Sequence, residues 1–396
     1  MNRFRPLAMG GGALVVALLL GFWIADRSHM KVRDESGADR NTVVPPRTAA
    51  NAGVRSTQSA PTPRDAGGSG RTRVSPRLPA PQLPRHSTEP APAENSPVPL
   101  LQQLFNGGDT NRLTPERIAG YLRENKRSAA SLLAAARITG DRAFLQEAAK
   151  RFPNDPRVLL DVLLFGTATP TERRQTLDAF CQAAPDNAMG DYLSALDHFE
   201  SGDTDAAVRA LWQAFSKIRM EDYALETVQD REEAYLAAGY SRVQAAAAGY
   251  FGVEIPQASR LRALSRQLLA LQTQYARAGD AESAQVVAEM GVRLGTQMQM
   301  QMGNVLVEEL VGMAIERGSL ERLDPNAILE ATGQTVGERL QELEQRKNTI
   351  KTLGAIDLTK FDERDIGNFI ERAKLYGEFS ALQWLQNKYG TGGATP

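Results

Sequence analysis

The sequence predicts an all-α protein built from stacked helix pairs, and three observations predict it. Between Ala188 and Phe215 two apolar stripes follow one another: Tyr192, Ala195, Leu196 and Phe199, then Val208, Leu211, Trp212 and Phe215. Each set falls at i, i+3, i+4, i+7, which lines one face of a 3.6-residue helix. Gly140-Asp141, Gly202-Asp203 and Gly279-Asp280 each separate two helical patterns. Glycine takes the left-handed conformation that ends a helix, and aspartate caps the next. Finally, no convincing strand run is found, and short apolar clusters such as 253–255 are bounded by helix signals. Two helices of this size cannot bury their stripes alone, so the pairs must stack.

The chain starts differently. Leu7 to Ala25 holds no charged residue. As a helix it spans roughly 28 Å, about the depth of a bilayer's hydrocarbon. Arg3 and Arg5 precede it and Trp23 stands near its far end as an interfacial anchor would. A cleaved signal is the rival reading, and Trp23 at the −3 position argues against it. The expectation is a short tail over 1–6 and a single transmembrane anchor over 7–25. Arg27, Lys31 and Arg33 nearly balance the positive charge across the span, so the short tail and the segment that follows set the expectation: N-terminus in the cytoplasm and body outside, at the inner (cytoplasmic) membrane of a bacterial envelope.

Residues 26–98 are rich in Pro, Ala, Ser, Thr, Arg and Gly and carry almost no apolar periodicity. Such a composition cannot bury enough surface to offset the entropy of ordering, so a disordered spacer is expected. It holds 11 Lys/Arg against 7 Asp/Glu, whereas the chain from Pro99 on holds 33 against 40. The acidic body lacks the positive footprint of non-specific nucleic-acid binding. The expected partners are a protein or peptide and, through the anchor, the membrane.

From Pro99 the pattern is helical almost to the end, as a repeat domain over 99–325 and a C-terminal helical extension over 326–396. Thr114-Pro115 is an N-cap followed by proline at the first helical position. Helices are then expected over 128–139, 142–152, 158–164, 171–183, 188–201, 204–215, 221–238, 242–251 and 257–278. Another follows Asp280, then one over 304–317. Thr335 and Glu338 form a capping box for a helix reaching Lys351. Two short helices, 363–376 and 378–388, close the chain.

Around the third Gly-Asp turn, Leu268, Leu271, Tyr275 and Ala284 stand at offsets 0, 3, 7 and 16. These spacings resemble the tetratricopeptide repeat, in which the alanine lets the second helix approach the first. The resemblance covers 142–294, matches best in two units, and implies a stacked-helix α-solenoid whose groove binds a protein or peptide. On that pattern the concave side takes Tyr192, Phe199 and Glu200 from one unit and Arg266, Thr273 and Arg277 from the next, with core packing the favoured reading of Tyr192 and Phe199. The whole layout, with its RFPNDPRV, AAPDNA and GQTVGERL segments, also looks like a group of uncharacterised bacterial membrane-anchored proteins, which implies no activity.

Catalytic and cofactor motifs are not found. There are three histidines and one cysteine, no H-E-x-x-H, no G-x-S-x-G and no phosphate loop. Cys181 reads as a small packed residue, His198 as a hydrogen-bonded helix histidine, and Asp203 and Asp205 as cap and dipole partners. Met298, Met300 and Met302 alternate with glutamines, and soft thioethers suit Cu(I), but on a helix Met300 points away from the other two. The reading is a scaffold of the cell envelope that binds without a chemical step or cofactor. The alternatives are an α/α-type envelope enzyme with unlocated carboxylates, or a Met-rich metal-handling protein.

Overall fold

The computed structural model describes residues 113–302, 305–329 and 332–390. The predicted anchor over 7–25, the predicted spacer over 26–98 and the start of the 99–325 region lie outside them. All described residues belong to one compact unit. They form a helical-repeat-like, all-α body with no strand among them. No described helix is long and apolar enough to cross a membrane.

The first helices are α1 (Pro115–Glu124), α2 (Ala129–Thr139), α3 (Arg142–Arg151), α4 (Pro156–Phe165) and α5 (Pro170–Ala183). Next come α6 (Ala188–Ser201), α7 (Thr204–Ser216), α8 (Ala224–Ala237), α9 (Arg242–Phe251) and α10 (Pro256–Arg277). The rest are α11 (Ala281–Gln301), α12 (Leu306–Leu320), α13 (Val336–Leu353), α14 (Glu363–Tyr376) and α15 (Glu378–Tyr389), with a short 3-10 turn at Leu358–Lys360.

The punctuation acts as the residues dictate. Gly140, Gly202 and Gly279 all have positive φ, at 73°, 84° and 77°. Asp141, Asp203 and Asp280 each accept a hydrogen bond from a first-turn N–H of the next helix. Thr114 caps α1, and Thr335 and Glu338 form the capping box of α13. Each such cap is worth about 1 kcal/mol.

One helix starts later than its pattern suggests. Glu221 was expected to open a helix that begins at Ala224. The Asn187 side chain bonds both the N–H and the C=O of Glu221, at 3.0 and 2.8 Å. Ala188 N–H donates to the Arg219 carbonyl at 2.8 Å, and Tyr223 sits at φ 58°. The backbone of 219–221 is thus committed to α6 and cannot enter a helix.

Helices pair with their chain neighbours: α2 with α3, α4 with α5, α6 with α7, α8 with α9, α10 with α11, α14 with α15. Stacking of the pairs does not follow chain order throughout. α8 packs on α2 and α1, whereas α10 packs on α6, and α9 packs on α14. Three apolar clusters result. One joins Leu122, Leu132 and Val158 to Tyr235 and Ala248. A second joins Phe180, Tyr192 and Leu211 to Leu264, Leu294 and Met298. The third joins Val228 and Tyr250 to Leu343, Ile350, Phe369 and Leu385.

Candidate functional site

The site grows out of the third Gly-Asp turn. Gly279 reverses the chain and Asp280 caps α11 through Ser283 N–H at 3.0 Å, which lays the start of α11 against the end of α10. On α10, Leu264, Leu268 and Leu271 face the core. Thr273 and Arg277, one turn apart, share another face. A segment following α12 crosses that face. There Arg322 donates through Nη1 to the Leu269 carbonyl at 3.3 Å and to Thr273 Oγ1. Thr273 Oγ1 donates in turn to the Leu269 carbonyl at 2.7 Å.

These parts enclose a groove of about 600 Å³, lined by Gln272, Thr273, Arg277, Gln285, Arg322 and Asp324 among others. Its charges are two guanidinium groups and one carboxylate. Neither Arg277 nor Arg322 forms an ion pair with a described residue, whereas Asp324 is engaged by Asn326, at 2.9 Å from N–H and 3.3 Å from Nδ2. Gln272 is only 4% exposed, and its Oε1 has no hydrogen-bond partner. An unpaired buried acceptor costs the fold about 1–3 kcal/mol, so this glutamine stands out from the well-paired polar groups around it.

Of the six residues predicted to line a groove, Thr273 and Arg277 meet in this one. Arg266 is exposed two turns earlier on α10 and outside the groove, and Glu200 is exposed on α6. Tyr192 has no exposed surface. Its hydroxyl donates to Gln297 Oε1 at 2.6 Å and its ring meets Phe215 edge-on, with centroids 6.3 Å apart. Phe199 is half-buried against the same core. These two rings fill the space between pairs and are not presented to a partner. Gln272 and Arg322 are part of the groove that the sequence did not flag. No local pattern marks Arg322, because its place over α10 depends on how α12 packs.

A second polar cluster is closed. Gln257 Nε2 donates both to Asp222 Oδ2 at 2.6 Å and to Glu308 Oε1 at 3.1 Å. Glu308 is 1% exposed. Burial first, then the charge of Asp222 and a hydrogen bond with it, push its carboxyl well above the ordinary range. Glu378 lies nearby and accepts from Leu306 N–H at 2.9 Å. Neither Asp222 nor Glu308 lines the groove on α10.

The Met run lies at the end of α11. Met298 and Met302 are buried and Met300 is largely exposed, so the three sulfurs do not converge. The interleaved glutamines do the visible work. Gln297 donates to the Lys217 carbonyl at 3.2 Å; Gln301 bonds the Met220 N–H and the Ile218 carbonyl. Together they fasten the segment between α7 and α8.

The other singled-out groups have structural surroundings. His198 Nε2 is 3.0 Å from Arg174 Nη1. Cys181 is half-buried, and burial raises its thiol to about 11, away from a reactive thiolate. Asp191 is buried and pairs with Lys217.

Comparison with known proteins finds no matching family model, no similar curated protein and no similar solved structure.

Proposed function

We propose that this chain is a membrane-tethered helical-repeat protein that binds a protein or peptide partner in the bacterial cell envelope, with no chemical step of its own. The observation that carries the reading is the groove on α10, where Thr273, Arg277 and the anchored Arg322 share one open face. Binding sites of this kind combine apolar walls with a few fixed polar groups. The finer repeat type is a degenerate tetratricopeptide array. In its support, Leu268, Leu271 and Ala284 are buried and Tyr275 is half-buried, as that pattern requires. α10 and α11, at 22 and 21 residues, exceed the usual unit.

The tether and the periplasmic address rest on the apolar stretch at 7–25 and the spacer composition after it. A long flexible spacer lets a membrane-held body search a shell of solution and raises its effective concentration there.

Two measurements test the reading. An enzyme reporter that folds only outside the cytoplasm, fused after Pro396, is expected to be active; an inactive reporter removes the periplasmic address. Full-length chain immobilised in detergent is expected to retain a discrete envelope protein that the Arg277→Glu/Arg322→Glu variant loses. Retention of the same protein by both forms would move the binding surface elsewhere, and retention of none would sink the scaffold role.

A further inference from the structure

We infer that residues 99–106 form one further helix of this chain and lay its apolar face in a groove beside α1. The inference goes beyond the binding role proposed above and does not depend on it.

The groove, of about 430 Å³, lies between α1 and the turn that joins α2 to α3. Ile118 and Leu122 are its buried floor. Pro115 and Ala119 are exposed on its rim, and Phe144 is half-buried on the α3 side. The charged groups of its lining already have partners: Arg127 pairs with Glu147, and Asp141 accepts from Ala143 N–H at 2.9 Å. An uncharged, apolar segment suits such a surface. α1 is also short of a neighbour. Across Gly140, Gly202 and Gly279 the helix before the turn pairs with the helix after it, whereas α1 opens the described chain and packs on α2 and α8.

The residues just before α1 fit the place. Leu100, Leu101, Leu104 and Phe105 fall at i, i+1, i+4, i+5, one arc of a helix, with Gln102, Gln103 and Asn106 opposite. Pro99 suits the first helical position and Gly107-Gly108 the end. No residue from 99 to 106 is charged. A helix of that length, about 12 Å, does not persist in water without a surface to cover its apolar face.

The connection selects this occupant over any other. Residues 107–112 reach about 20 Å when extended, and α1 is about 15 Å long. Leu113, where the described chain begins, is itself part of the groove wall. The segment is thus held beside the groove at an effective concentration of about millimolar, which neither a second copy nor a separate partner matches. Filled in this way, the groove is no binding surface for a partner, and the folded body starts at Pro99.

The test uses full-length chain in detergent, with Cys181→Ala removing the native thiol. Ala119→Cys is combined in turn with Leu101→Cys, Leu104→Cys, Phe105→Cys, Gln102→Cys or Gln103→Cys. A disulfide forms only between facing side chains whose Cα atoms come within about 7 Å. The fastest pairing from the apolar arc is expected to close within one chain at least about tenfold faster than either glutamine position. Equal rates at every position, or no bridge within the chain, overturns the inference. A bridge between chains assigns the groove to a second copy and overturns it too.

A second arm needs no cysteine. Leu101→Asp/Phe105→Asp is expected to lower the melting temperature by about 5 °C, the loss of two covered apolar side chains in a body of this size. Gln102→Asp/Gln103→Asp is expected to leave it unchanged. Ala119→Glu, at an exposed groove position, is expected to lower it as well and to add nothing to the Leu101→Asp/Phe105→Asp variant, because both break one contact. Unchanged melting of Leu101→Asp/Phe105→Asp, or full additivity with Ala119→Glu, overturns the docking. None of these variants touches the groove on α10, so the envelope-protein capture described above decides the binding role separately.

Discussion

Glu308 has almost no contact with water, and its neighbours within the core are Asp222, the Gln257 amide and Glu378. Two carboxyl groups sharing one amide donor in a dry site are comfortable only with a proton between them. The folded state therefore raises the Glu308 value above its unfolded one. The stability tied to that proton is fully present below the ordinary glutamate value of about 4.3 and is lost as pH rises through the folded value. The capped carboxylates work oppositely at the acid end. Hydrogen bonds at the caps lower Glu172, Asp280 and Glu338, whose small contributions disappear as pH falls through their folded values. Unfolding midpoints in urea, followed from pH 4.5 upward, are expected to fall for the parent chain and to fall less for Glu308→Gln. Parallel curves for the two proteins would mean that Glu308 is charged throughout.

Legibility at the residue scale was uneven. The Gly-Asp turns and caps were readable because a helix end is settled by a residue and its near neighbours. Tyr192 was readable as apolar-stripe material, with core the favoured reading over groove, but the residues that cover it were not. Its burial depends on Gln297 and Phe215, one of them 105 positions away.

The element that best shows why helix contact needs particular residues is the α11–α12 pair. A Cβ on Gly295 would stand 2.6 Å from both Glu316 N and Gly312 O. A Cβ on Gly312 would stand 2.7 Å from Gly295 O. Backbone meets backbone there, so neither helix can yield locally. Gly295→Ala is expected to destabilise the body by about 1–3 kcal/mol through overpacking. Gly318→Ala, on the same α12, would meet only Leu269 Cδ1 at 3.6 Å, an ordinary contact. It is expected to stabilise by about 0.5–1 kcal/mol, because alanine is the better helix former. Denaturant midpoints of the two variants check the contrast; a neutral Gly295→Ala would mean the helices are not in this close register.

The alternating Gln and Met run on α11 makes a related point. Helical periodicity predicts that Met298 and Met302 share a face and that Met300 leaves it, and they do. What the glutamines fasten, the segment from Lys217 to Met220, lies some 80 positions earlier. No local pattern reports that distance.

At the scale of the whole described body, the α8–α9 pair holds separate parts of the chain together. α8 packs on α1 and α2, and α9 packs on α14. Lys374 of α14 pairs with Glu232 of α8 at 2.9 Å. Phe369 is fully buried, stacked on Phe251 with centroids 6.4 Å apart and edge-on to Tyr250 at 6.2 Å. Phe369→Ala is expected to cost about 3–5 kcal/mol, by loss of transfer energy plus the cavity left behind. Calorimetry should show that loss as one transition moving to lower temperature. An early transition confined to the last helices, with the main one unmoved, would mean that they unfold apart from the rest.

By itself the sequence determined that the body is helical, where most helices start and stop, and which turns join them into pairs, since periodicity, caps and left-handed glycines act over a few residues. The order in which pairs stack was decided only in three dimensions. So were the burial of Tyr192, the delayed start of α8, and the arrival of Arg322 over Thr273 beside Arg277. Each of these depends on contacts between residues dozens of positions apart, and an apolar stripe states only that it must be covered, not by which helix.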